Sequence, residues 1–149
     1  MKKKIIKTGF TLVEMLIVVG LITLLAAISF PIYKNFIEVS QIDNTTRDLQ
    51  ETLRRANGKS QASDFNSRWG VHITSKAFVL FSGSSWLSRD TSYDENHPAG
   101  WGINISSSVP DIIFTKNGTT TTIGTITING GTGNNKIINV NGEGTIELQ

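Results

Sequence analysis

The sequence contains no cysteine. Disulfides, thiolate nucleophiles and cysteine-based metal sites are therefore excluded, and an exported domain built from this chain must hold together by packing alone. Histidine is nearly absent: His72 and His97 are the only two, far apart in the chain. Proline is scarce, with three residues, and charged side chains make up only 17% of the whole. Between Met15 and Tyr33 charge is missing altogether. No serine sits in a Gly-x-Ser-x-Gly elbow, because Gly83-Ser84-Ser85-Trp86 lacks the second glycine. The run Gly130-Gly131-Thr132-Gly133-Asn134-Asn135-Lys136 lacks the Gly-Lys-Ser/Thr ending and following helix of a phosphate loop, and reads as a hairpin turn. No catalytic residue, cofactor or metal site is expected, and the chain does not read as an enzyme.

What is present is concentrated at the start. Four lysines, Lys2, Lys3, Lys4 and Lys7, precede a charge-free run of 19 residues. As α-helix, that run would measure about 28 Å at ~1.5 Å per residue, which matches a hydrocarbon core of ~30 Å. One carboxylate, Glu14, stands at its mouth. An acidic side chain at a bilayer centre costs about 2.5–3.5 kcal/mol on insertion scales, and less near the interface. A chain that keeps one there has a partner for it.

The stretch Lys7-Thr8-Gly9-Phe10-Thr11-Leu12-Val13-Glu14, with its basic leader and apolar run, resembles the processing site of type IV prepilins and pseudopilins. The resemblance implies cleavage after Gly9 by a prepilin peptidase and N-methylation of the new terminal residue, Phe10. It also implies an assembly role for Glu14, contacting a neighbouring subunit's N-terminal amine. The partners it implies are that peptidase, other pilin or pseudopilin subunits and the cytoplasmic membrane. Two plainer readings share part of the pattern. An ordinary secretory signal also has a basic and an apolar region, with Ala27-Ile28-Ser29 as a cleavage site, but its apolar region spans about 7–15 residues and rarely opens on a carboxylate. An uncleaved single-span anchor is the other.

Lysines on one side only place the leader in the cytoplasm and the remaining chain outside. The formal net charge of +2 and the pI near 9.0 describe the chain with its leader. Without residues 1–9, ten basic residues face twelve acidic ones. A general basic patch for nucleic acid is not indicated. The tail after Lys136 carries Glu143 and Glu147 and no cation, so DNA is not expected as a partner, because phosphate contacts need clustered Lys or Arg.

Pro31 and Gly20 are the weak points of the apolar helix, since proline removes a hydrogen bond and glycine costs backbone entropy. They resemble the flexible zone of pilin N-terminal helices. Beyond them Phe36, Val39, Ile42, Thr46, Leu49, Leu53 and Ala56 recur at helical spacing and predict one buried face. Asn57-Gly58 predicts the stop. The rest reads as β-strands: 71–74, 78–81, 103–105, 112–115, 121–128, 136–140 and 145–148, the last ones a meander turned by Asn-Gly pairs. Trp86-Leu87 begins a strand or packs on the head. Residues 88–102 read as a polar, turn-rich loop in which Asp90, Asp94, Glu95 and Asn96 offer oxygen ligands, though at no EF-hand spacing. Core packing is the reading for the tryptophans, and His72, flanked by Val71 and Ile73, faces solvent or a polar partner.

The predicted fold is α+β and pilin-like: a long N-terminal α-helix, membrane half then amphipathic half, packed against a C-terminal antiparallel β-sheet head. The predicted division is leader 1–9, assembly helix 10–33, amphipathic helix 34–57 and head 58–149. In finer detail the order is similar to the H-type minor pseudopilins and FimT-like minor pilins, on Arg68-Trp69-Gly70-Val71, Ile112-Ile113-Phe114 with Asn117-Gly118, and Ile137-Ile138-Asn139-Val140 before Gly142. That implies a structural subunit of a pilus or secretion filament, or alternatively a binding module at a filament tip for exoprotein, surface or DNA.

Overall fold

The computed structural model describes residues 9–63 and 66–149, without the side chains of residues 28–32. The leader lysines therefore lie outside the described residues. Helix α1 runs from Leu12 to Gln61. Contacts within the chain separate a first unit ending at Phe36 from a second, Ile37–Gln149.

The second unit holds the rest of α1 and, among the described residues, eight strands: β1 (Trp69–Ile73), β2 (Ala77–Ser82), β3 (Asp90–Pro98), β4 (Asn104–Ser107), β5 (Asp111–Phe114), β6 (Gly124–Asn129), β7 (Asn135–Val140) and β8 (Ile146–Leu148). They form two four-stranded sheets, ordered β3-β2-β1-β5 and β4-β6-β7-β8, with every pairing antiparallel. The predicted meander is β6-β7-β8. Strand β4 joins it on the far side, and β5 returns to the first sheet, so the head is two interleaved sheets.

Alternation gives each sheet an apolar face. Val71, Phe78, Leu80 and Ile112 from the first sheet and Ile105, Ile126, Ile128 and Ile138 from the second meet Ile42, Leu49, Leu53 and Ala56 of α1 in one core. A buried side chain of this kind contributes roughly 1.5–3 kcal/mol. The predicted helix stripe is buried from Ile42 onward, whereas Phe36 and Val39 are 72% and 44% exposed. The reason on the head side is that the β6–β7 turn is what reaches back to this level of α1. It makes a polar contact there: Thr132 donates its amide and its hydroxyl to Glu38 at 2.8 and 2.6 Å.

The helix also passes its predicted stop. Gly58 lies in α1, and the extra turn ends on Ser60, whose buried hydroxyl accepts from the Trp69 amide at 2.8 Å and donates to the Phe114 carbonyl at 3.2 Å. This tertiary tie outweighs a local stop signal.

The predicted loop 88–102 is the main correction. Nine of its residues form β3, an edge strand paired with β2. Asp, Asn and Pro are turn signals in isolation, but an edge strand tolerates them, and Pro98 ends the strand where a missing N–H costs little. Trp86-Leu87 begins no strand; of the two, Trp86 packs on the head, against His72 and Phe81. The segment forms a single 3-10 turn capped by Ser85, with Leu87 96% exposed. The 121–128 strand starts only at Gly124. Before it, Thr120, Thr121 and Thr122 donate their hydroxyls to the carbonyls of Asn141, Ile113 and Asp111, lacing the crossover between the sheets. The core reading of the tryptophans holds for Trp69, at 1% exposure, and fails for Trp101, at 85%.

Candidate functional site

Gly9 and Phe10 precede α1 and are exposed. Thr11 ends the helix: its hydroxyl accepts the Glu14 amide at 3.2 Å, and its carbonyl accepts the Met15 amide at 3.2 Å. A side chain added at Gly9 would meet nothing within 4 Å, and the same holds at Gly20. Neither glycine is required by packing among the described residues. The Glu14 carboxylate is exposed and has no hydrogen-bond or ion-pair partner among the described residues. Along the same stretch of chain, Phe10, Leu12, Leu16, Leu21, Ile22 and Leu25 are each between 56% and 76% exposed. So long an exposed apolar surface is anomalous for a chain that stays alone in water. Helix α1 is assigned through both Gly20 and Pro31, and the Pro31 side chain lies outside the described residues. Among the described residues no helix is long and apolar enough to cross a membrane. The expected span from Met15 to Tyr33 includes residues 28–32, whose side chains are not described.

The head brings its ionisable residues together in pairs between elements. On the helix side, Arg55 makes a two-pronged contact to Glu95 at 2.9 and 2.6 Å, and Asp48 meets His97 Nδ1 at 3.1 Å. Lys136 lies 2.5 Å from Asp43, an ionic contact rather than an aligned hydrogen bond. On the outer face of the first sheet, His72 Nδ1 is 2.5 Å from Asp111, and its ring stacks on Trp86 at 4.0 Å. Arg89 lies over the other face of Trp86 at 3.4 Å and pairs with Asp94 at 2.8 Å. Trp86 meets Phe81 edge-on at 5.5 Å. Gly70 admits that packing, since a Cβ there would come within 2.8 Å of Phe81 Cζ.

The oxygen-rich segment is thus distributed along a strand: Asp94 and Glu95 serve arginines on opposite sides, and the Asp90 carboxylate accepts from the Ser92 amide and hydroxyl. The Ser92 hydroxyl and then its amide hold the Asp90 carboxyl below the usual carboxylate range. No group of three or more His, Asp or Glu among the described residues could hold a metal ion. Sequence reasoning assigned no role to Thr11 or Glu38. The first was legible as Thr-x-x-Glu before an apolar run; the second carries no local signal.

The chain matches the model of the prokaryotic N-terminal methylation motif over residues 7–30. It is 33% identical over 107 residues to a type IV major fimbrial protein, FimA, of Dichelobacter nodosus, covering 68% of this chain and 62% of that protein. A second FimA sequence from the same organism is 47% identical over 49 residues, 33% of this chain and 30% of its own length. The chain thus spans less than two thirds of the curated relatives it matches. In structure it resembles the minor pseudopilin EpsH from the type 2 secretion system of Vibrio cholerae, with TM-score 0.60 over 73% of this chain and 96% of that one, at 12% identity. That likeness concerns the fold. Motif, relatives and fold agree: the chain carries the N-terminal motif of type IV pilins and pseudopilins, is similar to type IV fimbrial proteins over part of their length, and has a head folded like that of the minor pseudopilin EpsH.

Proposed function

We propose that this protein is a structural subunit, a minor pilin or pseudopilin, of a type IV pilus or type II secretion filament. A prepilin-type peptidase cuts between Gly9 and Phe10, Phe10 is N-methylated, and the chain is held in the cytoplasmic membrane with its head outside until assembly. In this reading residues 1–9 are the leader, 10–33 the membrane and assembly helix, 34–57 the amphipathic helix and 58–149 the head, and Pro31 and Gly20 let the helix bend. The observation that carries the proposal is the division of labour along α1. Apolar side chains from Phe10 to Leu25 stand exposed, while Ile42, Leu49, Leu53 and Ala56 are buried in the head. The first half needs lipid, and later neighbouring helices, to cover it. Glu14 then supplies register, because a carboxylate in that apolar surrounding has its low-energy position opposite a positive terminus.

A second reading, a binding module at a filament tip, draws on Leu87 and Trp101, which are exposed by 96% and 85%. A DNA version of it has little support, since Lys136 faces Asp43 and the tail carries Glu143 and Glu147. An enzymatic reading has no constellation in its favour.

The test is the N-terminus of the membrane-extracted protein from cells carrying a prepilin peptidase. A chain beginning at N-methylated Phe10 is the expected result. One beginning at Met1, or near Phe30, would overturn the proposal.

A further inference from the structure

Resting on the reading that the Gly9–Phe10 bond is cut, we propose that Thr11 is a positioning residue for that cleavage: its hydroxyl ends α1 and keeps the scissile peptide out of the helix. Thr11 Oγ1 accepts the Glu14 amide at 3.2 Å, and the Thr11 carbonyl accepts the Met15 amide at 3.2 Å. Together these define an N-cap, a residue outside the helix that receives its first free donors. Thr11-Leu12-Val13-Glu14 also has the spacing of a capping box. Gly9 and Phe10 consequently lie beyond the helix start at Leu12, and both are exposed.

The competing acceptors decide what the cap does. In a helix continued upstream, each N–H would bond the carbonyl four residues earlier. The Glu14 amide would then turn to the Phe10 carbonyl, and the Val13 amide to the Gly9 carbonyl. The latter is the electrophile of the scissile bond. In a poorly hydrated setting an unpaired amide is costly, so the pull toward such an extension is strong where the flanking surface is apolar. Hydrolysis adds hydroxyl from water to the Gly9 carbonyl carbon and a proton to the departing Phe10 nitrogen. That carbon must be open to attack, which a helical turn prevents. Thr11 takes the Glu14 amide from the Phe10 carbonyl, and with the helix ended at Thr11 the Val13 amide does not bond the Gly9 carbonyl. Glycine at position 9 would not by itself secure this, since glycine disfavours a helix without forbidding it.

The test is the rate of leader removal from the full-length precursor in cells carrying a prepilin-type peptidase, followed by pulse-chase. It compares the wild type with Thr11→Val, Thr11→Ser and Thr11→Asn. Valine keeps the shape of threonine but accepts no hydrogen bond. Asparagine changes the shape and caps at least as well. The expected result is cleavage of Thr11→Val about five-fold slower than wild type, with the serine and asparagine variants within about two-fold, as the usual worth of a cap implies. Wild-type speed in Thr11→Val overturns the inference. So does a Thr11→Asn as slow as Thr11→Val, because the peptidase would then be reading the side chain and not the cap. An uncut wild-type precursor would instead bring down the processing reading on which this one stands.

Discussion

Replacing Ser60 by alanine tests whether the end of α1 is fixed by tertiary contact. The Ser60 hydroxyl is fully buried, accepts from the Trp69 amide at 2.8 Å and donates to the Phe114 carbonyl at 3.2 Å. Alanine would strand a buried amide and a carbonyl at the point where β1 and β5 meet the helix. An orphaned buried donor costs about 1–3 kcal/mol. Alanine is also the better helix former, by about 0.5 kcal/mol. The burial term wins, and the net loss should be ~1.5 kcal/mol. For a head of this size that corresponds to a fall in melting temperature of roughly 8 °C. The assay is urea unfolding of the full chain in mild detergent, followed by tryptophan emission, with Gly58→Ala beside it. Position 58 lies inside the helix, and a methyl group added there would meet nothing within 4 Å, so that variant should gain up to ~1 kcal/mol. An unfolding midpoint for Ser60→Ala equal to or above wild type would refute the reasoning.

Further outcomes follow from the same geometry. Thr52 is 1% exposed and its hydroxyl has no hydrogen-bond partner among the described residues; Thr52→Val should raise stability by about 1 kcal/mol, read in the same urea assay. At Gly70 a methyl group would sit 2.8 Å from both the Ile112 carbonyl and Phe81 Cζ; Gly70→Ala should therefore lose about 1–3 kcal/mol, as overpacking does, and lower the melting temperature. Asp90 should titrate below the ordinary carboxylate range in an NMR pH series, and Ser92→Ala should move it back up. Because the folded value is depressed, the Asp90–Ser92 hydrogen bonds support the fold above the ordinary value and that support is lost as pH falls through the depressed one. Glu14→Ala should leave leader removal intact and weaken incorporation into filaments, measured by comparing membrane and sheared-filament fractions; normal incorporation would remove Glu14 from the assembly reading.

The sequence alone was enough for the N-terminal motif and for the fold class. The octet around Gly9 and Phe10, the charge-free run and the 3.6-residue stripe are local patterns, and local patterns survive without a fold. The same holds for the Asn-Gly turns that close β6 onto β7 and β7 onto β8. Tertiary structure decided the rest. Helix α1 overruns Gly58 because Ser60 finds Trp69 and Phe114. The 90–98 segment becomes a strand because β2 offers an edge, and because Arg55 and Asp48 receive Glu95 and His97. The apolar stripe loses Val39 because a polar hairpin turn reaches back to Glu38 at that level. In each case the partner is 8 to 94 residues away in the chain. Propensity and periodicity sum over neighbours only, whereas these choices are made by whichever distant group satisfies a buried donor, a charge or a strand edge.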